Sequence, residues 1–354
     1  MKQAVPSPLS SMPWLGLAAT IVSVCVLQSS AAFTQEISNM PGLHHDAMTR
    51  SAVPIAPSER DLQTVVAEPY FKVSDQSVVL EGAVFDRNGN LLFVDAGTGR
   101  VFRLTPDRQL SVVVPENKLG AAGLAIHKDG RIFIASVGDM RQGSIRAVDP
   151  DGSNAQTIIA PDAGYLANDL VFDDRGGGLY FTDSRGTSAA STGGVFYVAP
   201  DFKSIVPVLP GLGVGNGIAL SPDGMQLWVT EHGKNVLHRV KLSNSTTITP
   251  FGSVVAYQFT GPAPDGARVD SEGNVYVAIS GQGRVIVFNR NGLPIGQILL
   301  PDRDSGRNLK STSLAILPGS NELLIVANSG TEPGGAMIFR SRAFAQGPRP
   351  YSHH

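Results

Sequence analysis

One structural sentence is written six times along this chain. A short apolar strand leads into an Asp/Gly turn, a second apolar strand follows, and then a third. The units read VFDRNGNLLFVD (84–95), AIHKDGRIFIAS (125–136), VFDDRGGGLYFTD (171–183), ALSPDGMQLWVTE (219–231), RVDSEGNVYVAI (268–279) and AILPGSNELLIVAN (315–328). A repeat in the forties with four strands per unit is the signature of a β-propeller. Two stacked sandwiches would rarely show six near-equal units. The reading is therefore all-β, a six-bladed β-propeller. The sixth unit runs out before supplying its own fourth strand. LQTVV (62–66), ahead of the first unit, is expected to fill that gap, so that an N-terminal strand closes the last blade and no edge is left free.

The irregularities of the repeat carry the chemistry. Just before each first strand stand Glu81, Ala122, Asn168, Asn216, Asp265 and Thr312, spaced 41 to 49 residues apart. In a ring of blades these positions face the axis near one mouth of the channel. Glu81, Asn168, Asn216 and Asp265 together offer two carboxylates and two amide oxygens. That all-oxygen set suits Ca²⁺, whereas zinc calls for His or Cys, and neither lies in this register. The plainer alternative is four channel polar groups that satisfy one another by hydrogen bonds.

The remaining totals exclude more than they suggest. Net charge is −2 and no basic run stands out, so no nucleic-acid partner is expected. Residues 1–32 read as a secretory signal. Lys2 is the only charge, Trp14–Leu27 is apolar but shorter than the roughly 20 residues a spanning helix needs, and small residues follow. Export to the periplasm or beyond the cell is expected, with no membrane association once the signal is removed. The only cysteine, Cys25, lies in that signal and follows Val24, which does not suit a lipid anchor; thiol chemistry is thereby excluded from the mature chain. Residues 33–60 are expected to be an extended lead-in, 61–347 the propeller, and 348–354 a disordered tail. No Gly-x-Ser-x-Gly elbow and no His-Glu-x-x-His helix is present. His127 and His232 fall in or beside turns and are expected to be solvated. A monomer is expected.

LEGAVFD (80–86), NDLVFD (168–173), GGGLYFTDSRG (176–186), NGIALS (216–221), LWVTE (227–231) and GQGRVIVFNRNGLPIGQILLP (281–301) resemble the senescence-marker/gluconolactonase superfamily. Within it the chain is most similar to the drug-responsive, calcium-dependent lactonases, a branch related to diisopropylfluorophosphatase. SAVPIAPSERDLQTVVAEP (51–69) and GGAMIFRSRAFAQG (334–347) extend the similarity nearly end to end of the mature chain. The resemblance implies a six-bladed propeller whose axial Ca²⁺ serves hydrolysis of a small-molecule lactone. It places Glu81, Asn168, Asn216 and Asp265 at the metal-ligand positions and gives Asp265 the proton-transfer role. It also implies a second, peripheral calcium, matched in part by Gly143, Asp162 and Tyr165.

Two positions depart from the lactonase branch. Asn168 stands where that branch tends to carry an acid, and Gly266 where it carries Ser. The neighbouring Asp169 would restore the charge, but strand alternation points it away from the axis if Asn168 faces it. Tyr165, Arg185, Tyr257 and Phe259 are the candidates for substrate-selecting loops. A phosphotriesterase using the same metal is one alternative, and a non-catalytic, secreted calcium-binding propeller is another. Asp265 as general acid/base and Asp265 as nucleophile both remain open at this point.

Overall fold

A computed structural model describes residues 43–329 and 334–354. The expected export signal, with Cys25, and the first part of the lead-in lie outside the described residues. The chain divides into a short N-terminal unit and a compact unit, Arg50–His354. Asp46 accepts the Thr49 amide at 2.8 Å and so caps the single turn Ala47–Arg50.

The compact unit is a six-bladed propeller built of six small sheets. The inner strands are Leu80–Phe85, Leu124–Ile126, Ala167–Phe172, Gly215–Leu220, Pro264–Val269 and Lys310–Ile316. Each touches the next, and the sixth touches the first, so the ring is closed. Both faces of a blade pack on neighbouring blades, which explains why the second strands carry runs of consecutive apolar residues rather than alternating ones. In Leu91–Asp95, Leu91 and Phe93 enter the core shared with blade six, while Leu92 and Val94 enter the core shared with blade two. Trp228 faces blade five, and its neighbours Leu227 and Val229 face blade three. Each such side chain, buried almost completely, contributes about 1.5–3 kcal/mol. The repeated Asp is a turn device: Asp86 Oδ1 accepts the amides of Asn88 and Asn90, both at 2.9 Å, and Asp270 Oδ1 does the same for Glu272 and Asn274.

The closing strand is not the one expected. Glu68–Ser74 pairs with Ala336–Arg342 and completes blade six. Gln63–Val66 instead runs parallel to Pro294–Leu299 as a fifth strand on blade five. The reason lies just upstream. Glu59, 1% exposed, pairs with the buried Arg284 at 2.5 Å, and Gln297 Nε2 donates to the Glu59 carbonyl (3.1 Å) and to Thr64 Oγ1 (3.0 Å). This anchor holds the segment on blade five and leaves the next seven residues for blade six. The lead-in is correspondingly docked rather than loose from Ser51 on. Ser51 Oγ bonds Asp304 at 2.9 Å, and Arg303 donates to the Val53 carbonyl.

Residues 348–354 are likewise not a disordered tail. They end in the 3-10 turn Tyr351–His353, with Tyr351 and Ser352 buried. The Tyr351 ring stacks on Phe172 at 5.0 Å and lies 5.2 Å from His127. His127 is therefore an aromatic-core residue and not a solvated one. Arg87 of blade one donates to the Ser352 carbonyl, and His354 Nε2 stands 3.7 Å from Asp174 of blade three. The tail thus crosses the channel end opposite the candidate site, bordering a cavity of about 430 Å³.

Candidate functional site

The inner strands are irregular where the candidate residues sit. Their pairing shifts register between Glu81 and Val84, Ala167 and Leu170, Gly215 and Ile218, Pro264 and Ala267, and Ser311 and Ser313. Bulges of this kind re-aim side chains and suspend simple alternation. They also bring neighbouring backbones very close at the axis. Gly82, Gly123, Gly217 and Gly266 each follow the candidate position in their blade. A Cβ on Gly217 would stand 2.4 Å from the Asp265 carbonyl, and one on Gly123 would stand 2.5 Å from the Asn168 carbonyl, so only glycine fits.

In the other two blades the position is Asp169 or Ser313, and the side chain itself makes the inter-blade bond. Asp169 Oδ2 accepts the Ile218 amide at 3.2 Å, and Ser313 Oγ accepts the Ala83 amide at 3.1 Å. Threonines add a second brace. Thr230 Oγ1 accepts the Gly217 amide at 2.7 Å and donates to the Asp265 carbonyl at 2.7 Å; Thr182 donates likewise to the Asn216 carbonyl.

Glu81, Asn168, Asn216, Asp169 and Ala122 line one axial cavity. Asp265, 6% exposed, is hydrogen-bonded through its carboxylate to the Asn216 and Ser280 side chains. Burial, aided by the Asp169 charge and opposed by those hydrogen bonds, raises the Asp265 pKa to about 8. Glu81 is raised well above the usual carboxylate range by burial, then by the charges of Asp265 and Asp169; the Gly82 amide and Arg268 oppose the shift. Four expected residues are thus brought into one neighbourhood. Asp169 joins them, contrary to the alternation argument, because the Ala167–Leu170 bulge turns both Asn168 and Asp169 toward the axis. Burial thus favours the protonated forms of Glu81 and Asp265, and a cation binding here would displace their protons. Among the described residues no three His, Cys, Asp or Glu side chains cluster at metal-holding spacing. Any cation held here would therefore depend on the two asparagine amides as well as on carboxylates.

The remaining candidates divide. Arg185 sits at the rim, its Nε 2.6 Å from Asp183 Oδ2 and its guanidinium 5.1 Å above the Tyr165 ring. Phe259 is 3% exposed and packs in the core between blades four and five, and the Tyr257 hydroxyl donates to Glu59 at 2.5 Å. Both act in packing, not in a free substrate loop. For the peripheral calcium set, Gly143 donates its amide to the Tyr165 carbonyl at 3.0 Å, while Asp162 lies exposed in the turn Pro161–Ala163. Ala122 contributes only its wall, and Thr312 spends its hydroxyl on the Leu80 carbonyl. His232 is half-buried, with Nδ1 3.2 Å from the Pro264 carbonyl.

Residues 79–307 match the family described as the SMP-30/gluconolactonase/LRE-like region. A lactonase drp35 of Staphylococcus saprophyticus subsp. saprophyticus is 46% identical over 323 residues, covering 90% of this chain and 99% of its own. Among solved structures, a calcium-binding protein, regucalcin, from Agrobacterium tumefaciens superposes with a TM-score of 0.64 at 19% identity, covering 80% of this chain and 99% of that one. A gluconolactonase from Xanthomonas campestris gives 0.62 at 20% identity, covering 79% and 96%. The two structural likenesses speak to the fold alone. The family match and the lactonase relative go further: this chain belongs to the SMP-30/gluconolactonase/LRE-like family.

Proposed function

We propose that this chain is a lactonase that opens cyclic esters at the axial cavity, with Ca²⁺ held by Glu81, Asn168, Asn216 and Asp265. The lactonase part rests on relatives that carry that name and align over nearly their whole length. The metal part rests on one observation: buried carboxylate and amide oxygens converge on the channel axis, where a divalent cation would stabilise the ionised carboxylates that burial disfavours. The donors are hard and oxygen-only, as calcium requires. When bound, the ion supplies Lewis acidity, polarising the ester carbonyl and offsetting the charge that grows on its oxygen.

The chain's own residues do the rest. Asp265, aligned by Asn216 and Ser280, is placed to take a proton from the attacking water. Water oxygen bonds the carbonyl carbon, the ring C–O bond breaks, and the proton passes from Asp265 to the leaving alkoxide. Thr182 and Thr230 hold the Asn216 and Asp265 backbones in register. Arg185, held over the Tyr165 ring, is the remaining candidate for contacting the substrate, while Tyr165 itself packs on Phe181 and Phe196. A panel of lactones assayed with and without chelator, beside an organophosphate triester, tests this reading. Turnover of the triester but of no lactone favours the phosphotriesterase alternative, and turnover of neither by calcium-loaded protein favours a binding propeller. Export rests on residues 1–32 alone. N-terminal sequencing of the protein from the growth medium or periplasm should begin at residue 32 or 33.

A further inference from the structure

Arg268 has no counterpart among the expected site residues, yet it lies on the channel axis. Nη1 stands 2.7 Å from Asp169 Oδ2 and Nη2 stands 3.4 Å from Asp169 Oδ1. The same two nitrogens donate to the carbonyls of Ala267 (2.7 Å) and Ala83 (3.2 Å). One guanidinium therefore ties together blades one, three and five, which alternate around the ring. Asp169 borders the cavity that holds Glu81, Asn168 and Asn216, whereas Arg268 borders the larger cavity toward the C-terminal tail. The pair is the partition between the two halves of the channel.

The Asp169 carboxylate is fully used. Besides Arg268, it accepts the Leu170 amide at 2.9 Å and the Ile218 amide at 3.2 Å. Its oxygens are committed to the protein, but its charge acts on Glu81 and Asp265. We infer that Arg268 is the positioning residue of the axial site, fixing Asp169 in the partition and setting the charge felt by a cation above it. This inference rests on the calcium reading for its affinity arm, and its stability arm does not. A purely mechanical tie between strands is the rival explanation, and neutralising each charge in turn separates the two.

The test uses the full chain with the substitutions Arg268→Met, Asp169→Asn and both together. Calcium binding is followed by isothermal titration, and melting is followed in chelator. Arg268→Met should tighten calcium binding on the order of tenfold or more, because a nearby positive charge is removed. Asp169→Asn should weaken it by a similar factor, and the double variant should return toward wild type. In chelator, Arg268→Met should melt lower than wild type, and the double variant should recover much of the loss. Shifts of the same sign in both single variants, or no shift in either, overturn the inference and leave only a tie. Should wild type bind no calcium, the metal reading fails, and the melting arm still decides: a double variant no more stable than Arg268→Met overturns the role. If Arg268→Met does not fold, Arg268→Lys takes its place. It keeps the charge without the fork, so its calcium affinity should stay within about threefold of wild type while its melting temperature falls; a larger change of affinity overturns the inference.

Discussion

Thr230→Val tests the idea that hydroxyls in one blade hold the site backbone of the next. Thr230 is fully buried, and valine has nearly its shape, so no cavity is created. What is lost is the donor to the Asp265 carbonyl and the acceptor for the Gly217 amide, each at 2.7 Å. Two buried backbone groups then face a methyl group. At about 1–3 kcal/mol for each unsatisfied group, the expected destabilisation is about 3 kcal/mol. For a domain of this size that is a fall of about 6 °C in melting temperature. Thr230→Ser keeps the hydroxyl and removes one methyl, which should cost about 1 kcal/mol. Urea unfolding of both variants in chelator reads the difference, and lactone turnover reads the effect on Asp265. Turnover should drop in the valine variant and persist in the serine variant. A valine variant within 1 kcal/mol of wild type, or a serine variant as damaged as the valine one, would refute the bracing argument.

The strap at the lead-in makes a second prediction. Glu59→Gln leaves Arg284 buried without its countercharge, which should destabilise by about 3 kcal/mol or more and free the Gln63–Val66 strand for faster amide exchange. Removing residues 348–354 should lower the melting temperature and raise binding of an apolar dye at the uncovered channel end, while lactone turnover is retained; unchanged dye binding would contradict the tail's part in covering that end. The pH dependence has a definite sign. Asp265 is raised from 3.8 to about 8, and Glu81 is raised too, so their contribution to calcium-free stability is complete at low pH and is lost as pH rises through that window. Calcium should therefore stabilise increasingly from about pH 4 to pH 8, read as the difference in melting temperature with and without chelator; a difference that shrinks over that range contradicts the clustered carboxylates.

The six-fold repeat made the architecture and the four convergent positions readable, because each blade restarts at the same phase. What stayed hidden depended on departures from that phase. Asp169 was assigned off-axis by strand alternation, and the bulge between Ala167 and Leu170 cancels the alternation at that point. Arg268 was accessible in principle, being the one charged residue at a position that is Val or Ala in the other five units. Thr182 and Thr230 were accessible in principle: YFTD and WVTE place them identically in consecutive units. The closing strand was ambiguous because LQTVV and EPYFKVS have similar strand character. The long-range contacts of Glu59 with Arg284 and of Gln297 with Glu59 and Thr64 decide between them. Tyr257 and Phe259 look like loop aromatics in sequence, but the neighbouring Phe288 and Glu59 recruit them into packing.

The central claim is that a calcium-loaded axial site performs lactone hydrolysis through Asp265. It is tested most directly by measuring turnover of an aromatic lactone alongside calcium stoichiometry in wild type and in Asp265→Asn. The account predicts at least one calcium per wild-type chain, loss of turnover in chelator, and recovery when calcium is restored. It predicts an Asp265→Asn protein that is folded and has no turnover. Undiminished lactone hydrolysis in excess chelator, or by the Asp265→Asn variant, would contradict it.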